Sequence, residues 1–171
     1  EESHFCVGAN LMLVALAAQN GEWKEIDHIV RSFQNGLLAL KRMPFPQVSA
    51  PFGFTLGGGA ELFLSADRTV AAAETYMGLV EVGAGLIPAG GGCKELLIRY
   101  LEALPGGLKR FAPKQRIGSS AVGVEVNPEA MVADVFQMIG LARTSGNAME
   151  GRRLGFLRGS DQIVPNKNHL L

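Results

Sequence analysis

Two glutamates, each set against a run of glycines, carry the strongest chemical signal in this sequence. Glu61 follows directly on Gly57-Gly58-Gly59-Ala60, and Glu81 comes 20 residues later, at the head of a second glycine-rich stretch that runs to Gly90-Gly91-Gly92. A carboxylate in an apolar segment such as Tyr76–Val82 resists ionisation, because burial penalises the charged form, and a carboxyl with a raised pKa is a useful proton donor. Three adjacent glycines let a backbone approach a ligand closely and adopt positive φ. Where such a run opens a helix, free amide N–H groups and the positive end of the helix dipole face outward, and donors fixed in this way suit a developing oxyanion. Each feature also has a plainer reading. The glycines could serve a tight turn, Glu61 could complement a helix dipole, and Glu81 could be an ordinary loop carboxylate.

Other chemistries find less support. Gly83-Ala84-Gly85 begins like a dinucleotide fingerprint, but Pro88 stands where the third glycine belongs, and no phosphate loop ending in Gly-Lys-Ser/Thr is present. Cys6 and Cys93 make no disulfide framework, and His4, His28 and His169 lie far apart with no second ligand at metal spacing. The expectation is buried free thiols in a reducing, cytoplasmic compartment and no metal site.

Acids and bases balance at 16 each, so no long-range field for nucleic acid or anionic membrane is expected, and Lys109-Arg110…Lys114-Arg116 reads as a solvated loop. The apolar run Leu11–Ala18 is too short to span a bilayer and follows no basic segment. With 171 residues, 47% of them apolar, the chain has the size and composition of one soluble domain.

The elements that must position the glutamates follow from periodicity. Phe5-Cys6-Val7 reads as a short buried strand, and Asn10 as the N-cap of a helix over Leu11–Ala18 closed by Asn20-Gly21. Trp23, Ile26, Val30, Phe33, Leu37 and Leu40 recur at spacings of three and four, predicting an amphipathic helix over 22–41 that Met43-Pro44-Phe45-Pro46 stops. Val48–Phe52 and Arg68–Ala72 read as strands, and Ala60–Ala66 and Lys94–Leu104 as helices. The segment 104–126 reads as a loop or insertion. Asn127-Pro128-Glu129 starts a helix to about Ala142, Ser145 caps another through about Phe156, and Asp161–Val164 is a last extended segment. The alternation is α/β in class.

Three segments then agree with one pattern: Phe5-Cys6-Val7-Gly8-Ala9-Asn10, Pro46 through Glu61, and Glu81-Val82-Gly83-Ala84-Gly85-Leu86-Ile87-Pro88. In this order and spacing the stretch His4–Leu101 resembles the crotonase superfamily of enoyl-CoA hydratases and isomerases. More narrowly, Thr75–Gly83 and Ser160–Leu171 look like the C-terminal hydratase-like part of bacterial multidomain 3-hydroxyacyl-CoA dehydrogenases.

The resemblance implies a β-β-α spiral with C-terminal helices, partial in this chain. It has a core with the motifs at 4–101, the loop at 104–126 and a helical part at 127–171. It implies oxyanion donors at the N–H groups of Ala9 and Gly58, catalytic carboxylates at Glu61 and Glu81, and substrate contacts at Gly8, Gly57 and Pro88. The substrate would be an acyl-CoA thioester of fatty-acid β-oxidation, with no cofactor in this region and NAD confined to a dehydrogenase region upstream. Hydratases of the family use both carboxylates, Glu61 activating water and Glu81 protonating C2, whereas isomerases typically keep only the equivalent of Glu81. Isomerase chemistry, or a docking module without turnover, stand as the alternatives. Asn10 stands where many members have Asp, and 104–126 departs from the usual shorter connection. Glu1-Glu2-Ser3-His4 lacks an initiator Met and Asn168–Leu171 is abrupt, so both ends are expected to be cut from a longer polypeptide. The isolated chain is expected to associate with a partner copy or with the rest of its parent.

Overall fold

Asn10 opens the first helix as its composition requires: the side-chain oxygen accepts a hydrogen bond from the Met12 N–H at 3.1 Å, satisfying one of the amides that a helix start leaves bare. The computed structural model describes residues 3–102 and 128–170. Helix α1 spans Leu11–Gln19 and α2 spans Trp23–Lys41. The stripe of α2 turns Leu37 inward, while α1 leaves Leu11, Met12, Leu13 and Leu16 exposed. No helix among the described residues is long and apolar enough to cross a membrane.

Strands β1 (Val48–Ser49), β3 (Arg68–Ala72) and β5 (Gln162–Val164) form one parallel sheet in the order β1-β3-β5. Strands β2 (Phe54–Leu56) and β4 (Tyr76–Gly78) form a second, pairing Phe54 with Tyr76 and Leu56 with Gly78. Cys6 bridges to Thr55 on one side of this pair, and Thr144 bridges antiparallel to Gly78 on the other. The strand expected at Phe5–Val7 is therefore a single bridge, and the one expected at Val48–Phe52 is two residues long. Pro51 lacks the N–H that a longer ladder would use.

Helix α3 (Gly58–Leu64) leaves β2 through Gly57 and buries Ala60, Phe63 and Leu64 completely. They meet Met77, Leu79 and Leu96, with Val135 and Met138 from α5 (Pro128–Gly140) and Ala148 from α6 (Ala148–Arg153). Each large side chain so buried contributes about 1.5–3 kcal/mol. Leu96 belongs to α4 (Gly92–Glu102).

Two expectations are corrected here. The thiols expected to be buried are not: Cys6, in a single bridge at the sheet edge, is half-buried, and Cys93, in the first turn of α4, is exposed. Asn147, not Ser145, caps α6, its side chain accepting from Glu150 N–H at 2.8 Å. The Ser145 hydroxyl instead accepts from Met77 N–H at 3.1 Å, since an edge amide of β4 is in reach and otherwise lacks a partner. The expected loop at 104–126 and the Asn127 cap lie outside the described residues.

Candidate active site

The turn between β2 and α3 depends on Gly57. Its N–H donates to Gly78 O at 2.9 Å, completing the β2–β4 ladder, and its backbone then turns at φ +55° to start the helix. That conformation favours glycine. Four residues on, Glu61 N–H bonds back to Gly57 O at 3.0 Å. This first turn aims the Glu61 carboxylate into the interior, where the residue is only 3% exposed.

A buried carboxylate needs donors, and the second glycine run supplies them. Gly92 N–H donates to Glu61 Oε1 at 2.8 Å, and the Gly90 and Gly91 backbone runs close beside the carboxylate. A Cβ on Gly90 would stand 2.6 Å from Glu61 Oε2, and one on Gly92 would stand 2.7 Å from Leu79. Both positions exclude side chains so that bare backbone can reach the acid. Burial pushes the Glu61 pKa up, the three amides pull it down, and burial prevails.

Glu81 opens a 3₁₀ turn, Glu81–Ala84, three residues beyond the end of β4. Its side chain reaches back to the α3 start, where a Cβ on Gly57 would lie 3.4 Å from Oε1. Its other oxygen, Oε2, is buried without a hydrogen-bond partner. Burial raises the Glu81 pKa, and the nearby charge of Glu61 raises it further. The two acids thus share one neighbourhood but not one environment.

The remaining candidates gather less evenly. Gly8, at φ +89°, presses against the α3 start, a Cβ there falling 3.1 Å from Gly58 N. Ala9 follows, and neither its N–H nor that of Gly58 donates to a protein carbonyl among the described residues. Gly8, Ala9, Gly57, Gly58, Glu61 and Glu81 are accordingly brought together. Pro88 is buried further along, in the loop between Glu81 and Gly90. A cavity of about 210 Å³ lies elsewhere, lined by Phe5, Leu40, Val48, Ser49, Leu62 and Ser65 among others, and includes none of these residues.

In the sequence Gly90-Gly91-Gly92 carries no evident role, and Phe33 and Leu37 figure only as stripe residues of α2. Phe33 lies within contact of Gly90 and 3.3 Å from a Cβ position on Gly58, so it touches both glycine segments. The available signal was a second glycine triplet about 30 residues after a buried acid.

The arrangement offers two carboxyls of raised pKa beside two unpaired backbone amides, a set suited to moving protons on a molecule whose oxygen is becoming negative. Comparison with known proteins points the same way. The profile described as "Enoyl-CoA hydratase/isomerase" matches residues 1–102. A Bacillus subtilis (strain 168) protein named "Probable 3-hydroxyacyl-CoA dehydrogenase" is 41% identical over 168 residues, which is 98% of this chain and 19% of that protein. Mouse mitochondrial methylglutaconyl-CoA hydratase is 37% identical over 92 residues, 54% of this chain and 28% of that one. The crystal structure of an enoyl-CoA hydratase from Polaromonas sp. JS666 superposes with a TM-score of 0.67 at 21% identity, covering 97% of this chain and 51% of its own. This last likeness is one of fold and bears out the crotonase-type α/β arrangement. The chain spans a fifth to a half of the length of these relatives.

Proposed function

This chain belongs to the enoyl-CoA hydratase/isomerase family, and from that premise we propose that it carries the acyl-thioester site of an enoyl-CoA hydratase acting in fatty-acid oxidation. The observation that carries the reading is the pair of buried Glu61 and half-buried Glu81, both with raised pKa values, beside the amides of Ala9 and Gly58, which have no protein acceptor among the described residues.

Hydration of a 2-enoyl thioester adds a water oxygen to C3 and a proton to C2, while negative charge passes through the thioester oxygen. The N–H groups of Ala9 and Gly58 meet that oxygen, and preoriented donors in a dry site stabilise it without reorganisation. Glu61, whose ionised form accepts from Gly92 N–H and is favoured by the nearby Gly90 and Gly91 amides, accepts the proton of the attacking water. Glu81, with a bare buried oxygen and a like charge beside it, favours the protonated form and delivers its proton to C2. Exchange with water then returns the pair to its starting state. Gly8 and Gly57 keep the floor of the site free of side chains, and Pro88 stiffens the loop after Glu81. Isomerisation would need a single carboxylate, leaving the elaborate cradle around Glu61 without a task. The substrate is an acyl-CoA, and the likeness to the Bacillus subtilis protein over nearly the whole chain supports a setting within a larger 3-hydroxyacyl-CoA dehydrogenase polypeptide.

The test is hydration of crotonyl-CoA by the full-length protein and by its Glu61→Gln and Glu81→Gln variants. Each substitution should lower kcat by about 10²–10⁴, the usual scale for general acid/base groups. Isomerisation of a 3-enoyl-CoA that survives Glu61→Gln while hydration is absent in the wild type would replace the hydratase with the isomerase.

A further inference from the structure

We propose that Gln34 of α2 is a positioning residue for Glu61, acting through the Ala89–Gly92 backbone; the proposal rests on the reading of Glu61 as the base of a hydratase. The side-chain amide of Gln34 donates to Ala89 O at 2.6 Å, across 55 positions of sequence. The next three residues are Gly90, Gly91 and Gly92; the last donates its N–H to the Glu61 carboxylate at 2.8 Å, and the nearby amides of the other two also favour its ionised form. A chain of three glycines has little stiffness of its own, so its amides stay on the acid only if something outside the loop fixes its course. Helix α2 does this from three successive turns. Phe33 and Leu37 pack against the Gly90 position, Gln34 ties the carbonyl before it, and Lys41 pairs with Glu95 in the first turn of α4.

Gln34 is the polar member of this clasp and introduces no charge. The ionisable groups around Glu61 are Glu81 from the 3₁₀ turn and Cys93 from α4, both of which sense its charge. On α2, Arg31 and Lys41 are already paired with Asp27 and Glu95. Removing the Gln34 donor therefore changes the loop and adds no competing titration. Loosened amides stabilise the Glu61 carboxylate less, so it holds its proton to higher pH and the fraction ready to accept one falls.

The experiment is Gln34→Met and Gln34→Leu in the full-length protein. Expected are a kcat about tenfold lower with KM changed less than about twofold, and an acidic limb of kcat/KM displaced upward by about one pH unit, the scale of one hydrogen bond to a charged group. Infrared titration of the protonated Glu61 carboxyl, assigned by its loss in Glu61→Gln, should show the same upward displacement without any turnover. Midpoint and profile unmoved in folded variants, or activity falling only with thermal stability, would overturn the proposal. A displaced infrared midpoint in a protein whose wild type hydrates no 2-enoyl-CoA would sink the hydratase reading and leave the clasp standing.

Discussion

Two sets of buried charge lie at the two ends of α4, and they are built on opposite principles. At its C-terminal half, the Arg99 guanidinium is wholly buried, and both terminal nitrogens are partnered while Nε is not: it donates to Phe156 O at 2.8 Å, Leu64 O at 3.0 Å and Phe63 O at 3.2 Å, and pairs with Asp161 at 3.3 Å. Asp161 in turn accepts from the N–H groups of Thr69 at 3.0 Å and Arg158 at 2.7 Å. Burial, with the Arg158 charge nearby, lowers the Arg99 pKa to about 10, so the cation persists at neutral pH. At the N-terminal end, Glu61 and Glu81 repel one another, and Glu81 keeps a buried oxygen with no partner. The first set knots α3, α4 and the chain before β5 together. The second leaves acids able to exchange a proton. Charge facing its opposite supports architecture here, and charge facing its like supports chemistry.

The largest effect should come from breaking the oppositely charged set. Arg99→Leu strands Asp161 and frees the last carbonyls of α3, and removing one member of a buried ion pair costs about 3–5 kcal/mol. Denaturant unfolding of the variant should show that loss, with activity falling only as the folded fraction falls. A loss under about 1 kcal/mol would mean the cluster behaves like a surface pair and would break the comparison.

Next in size is a variant that removes one oxyanion donor and spares the fold. Gly58 is the first residue of α3, where proline is at home because its missing N–H has no helical partner. Gly58→Pro should lower kcat by about 10²–10³, the cost of one oxyanion donor, with only a modest fall in thermal midpoint as the Phe33 ring, 3.3 Å from the new Cβ, gives way. Gly59 has no such freedom, since a Cβ there would collide with the Cys6 carbonyl. Gly59→Ala should fail in folding first. The reverse ranking of the two variants would deny the Gly58 N–H its role.

These two regions were unequally legible. Glu61, Glu81 and the 57–59 glycines lie within short motifs, and the spacing of Trp23, Ile26, Val30 and Leu37 predicted α2 to within one residue at each end. Strands β2 and β4 are three residues each, too short for a period of two to register, and were missed. Arg99 sits in an amphipathic helix beside charged neighbours, so only the tertiary positions of Phe156 and Asp161 distinguish it from a solvated arginine. The Gly90–Gly92 cradle was hidden for a related reason. Its donors are backbone amides, which leave no side-chain signature, and their acceptor is some 30 residues away.

A smaller effect tests the like-charged set from the side of stability. The folded Glu81 pKa is raised above its ordinary 4.5, so this acid binds its proton more tightly folded than unfolded. Its presence costs nothing below 4.5, begins to destabilise as pH rises through the interval between the two values, and reaches a constant penalty above the folded one. Glu81→Gln should therefore raise stability at neutral pH, within the 0.5–2 kcal/mol typical of relieved functional sites, or about that. The gain should vanish in acid. Equal gain at all pH values would point to packing, not charge.

The smallest effect has the opposite sign and completes the contrast, because it concerns a carboxylate only three residues beyond the cradle. Glu95 is also buried, which pushes its pKa up, but hydrogen bonds from Lys41 and Lys94 outweigh burial and hold it below the ordinary 4.5. A lowered folded pKa means the ionised form is favoured by folding. The contribution is fully present above 4.5 and is lost as pH falls through the lower folded value. Lys41 is part-exposed and Lys94 remains to pair with the acid, so Lys41→Met should cost only about 0.5–1 kcal/mol at neutral pH. That cost should shrink in acid and at high salt, where the pair is protonated or screened. Chemical unfolding of wild type and Lys41→Met from acid to neutral pH reads both trends. If the cost instead grew in acid, Glu95 would titrate like Glu61, and the division between the lysine-paired Glu95 and the like-charged Glu61 and Glu81 would not hold.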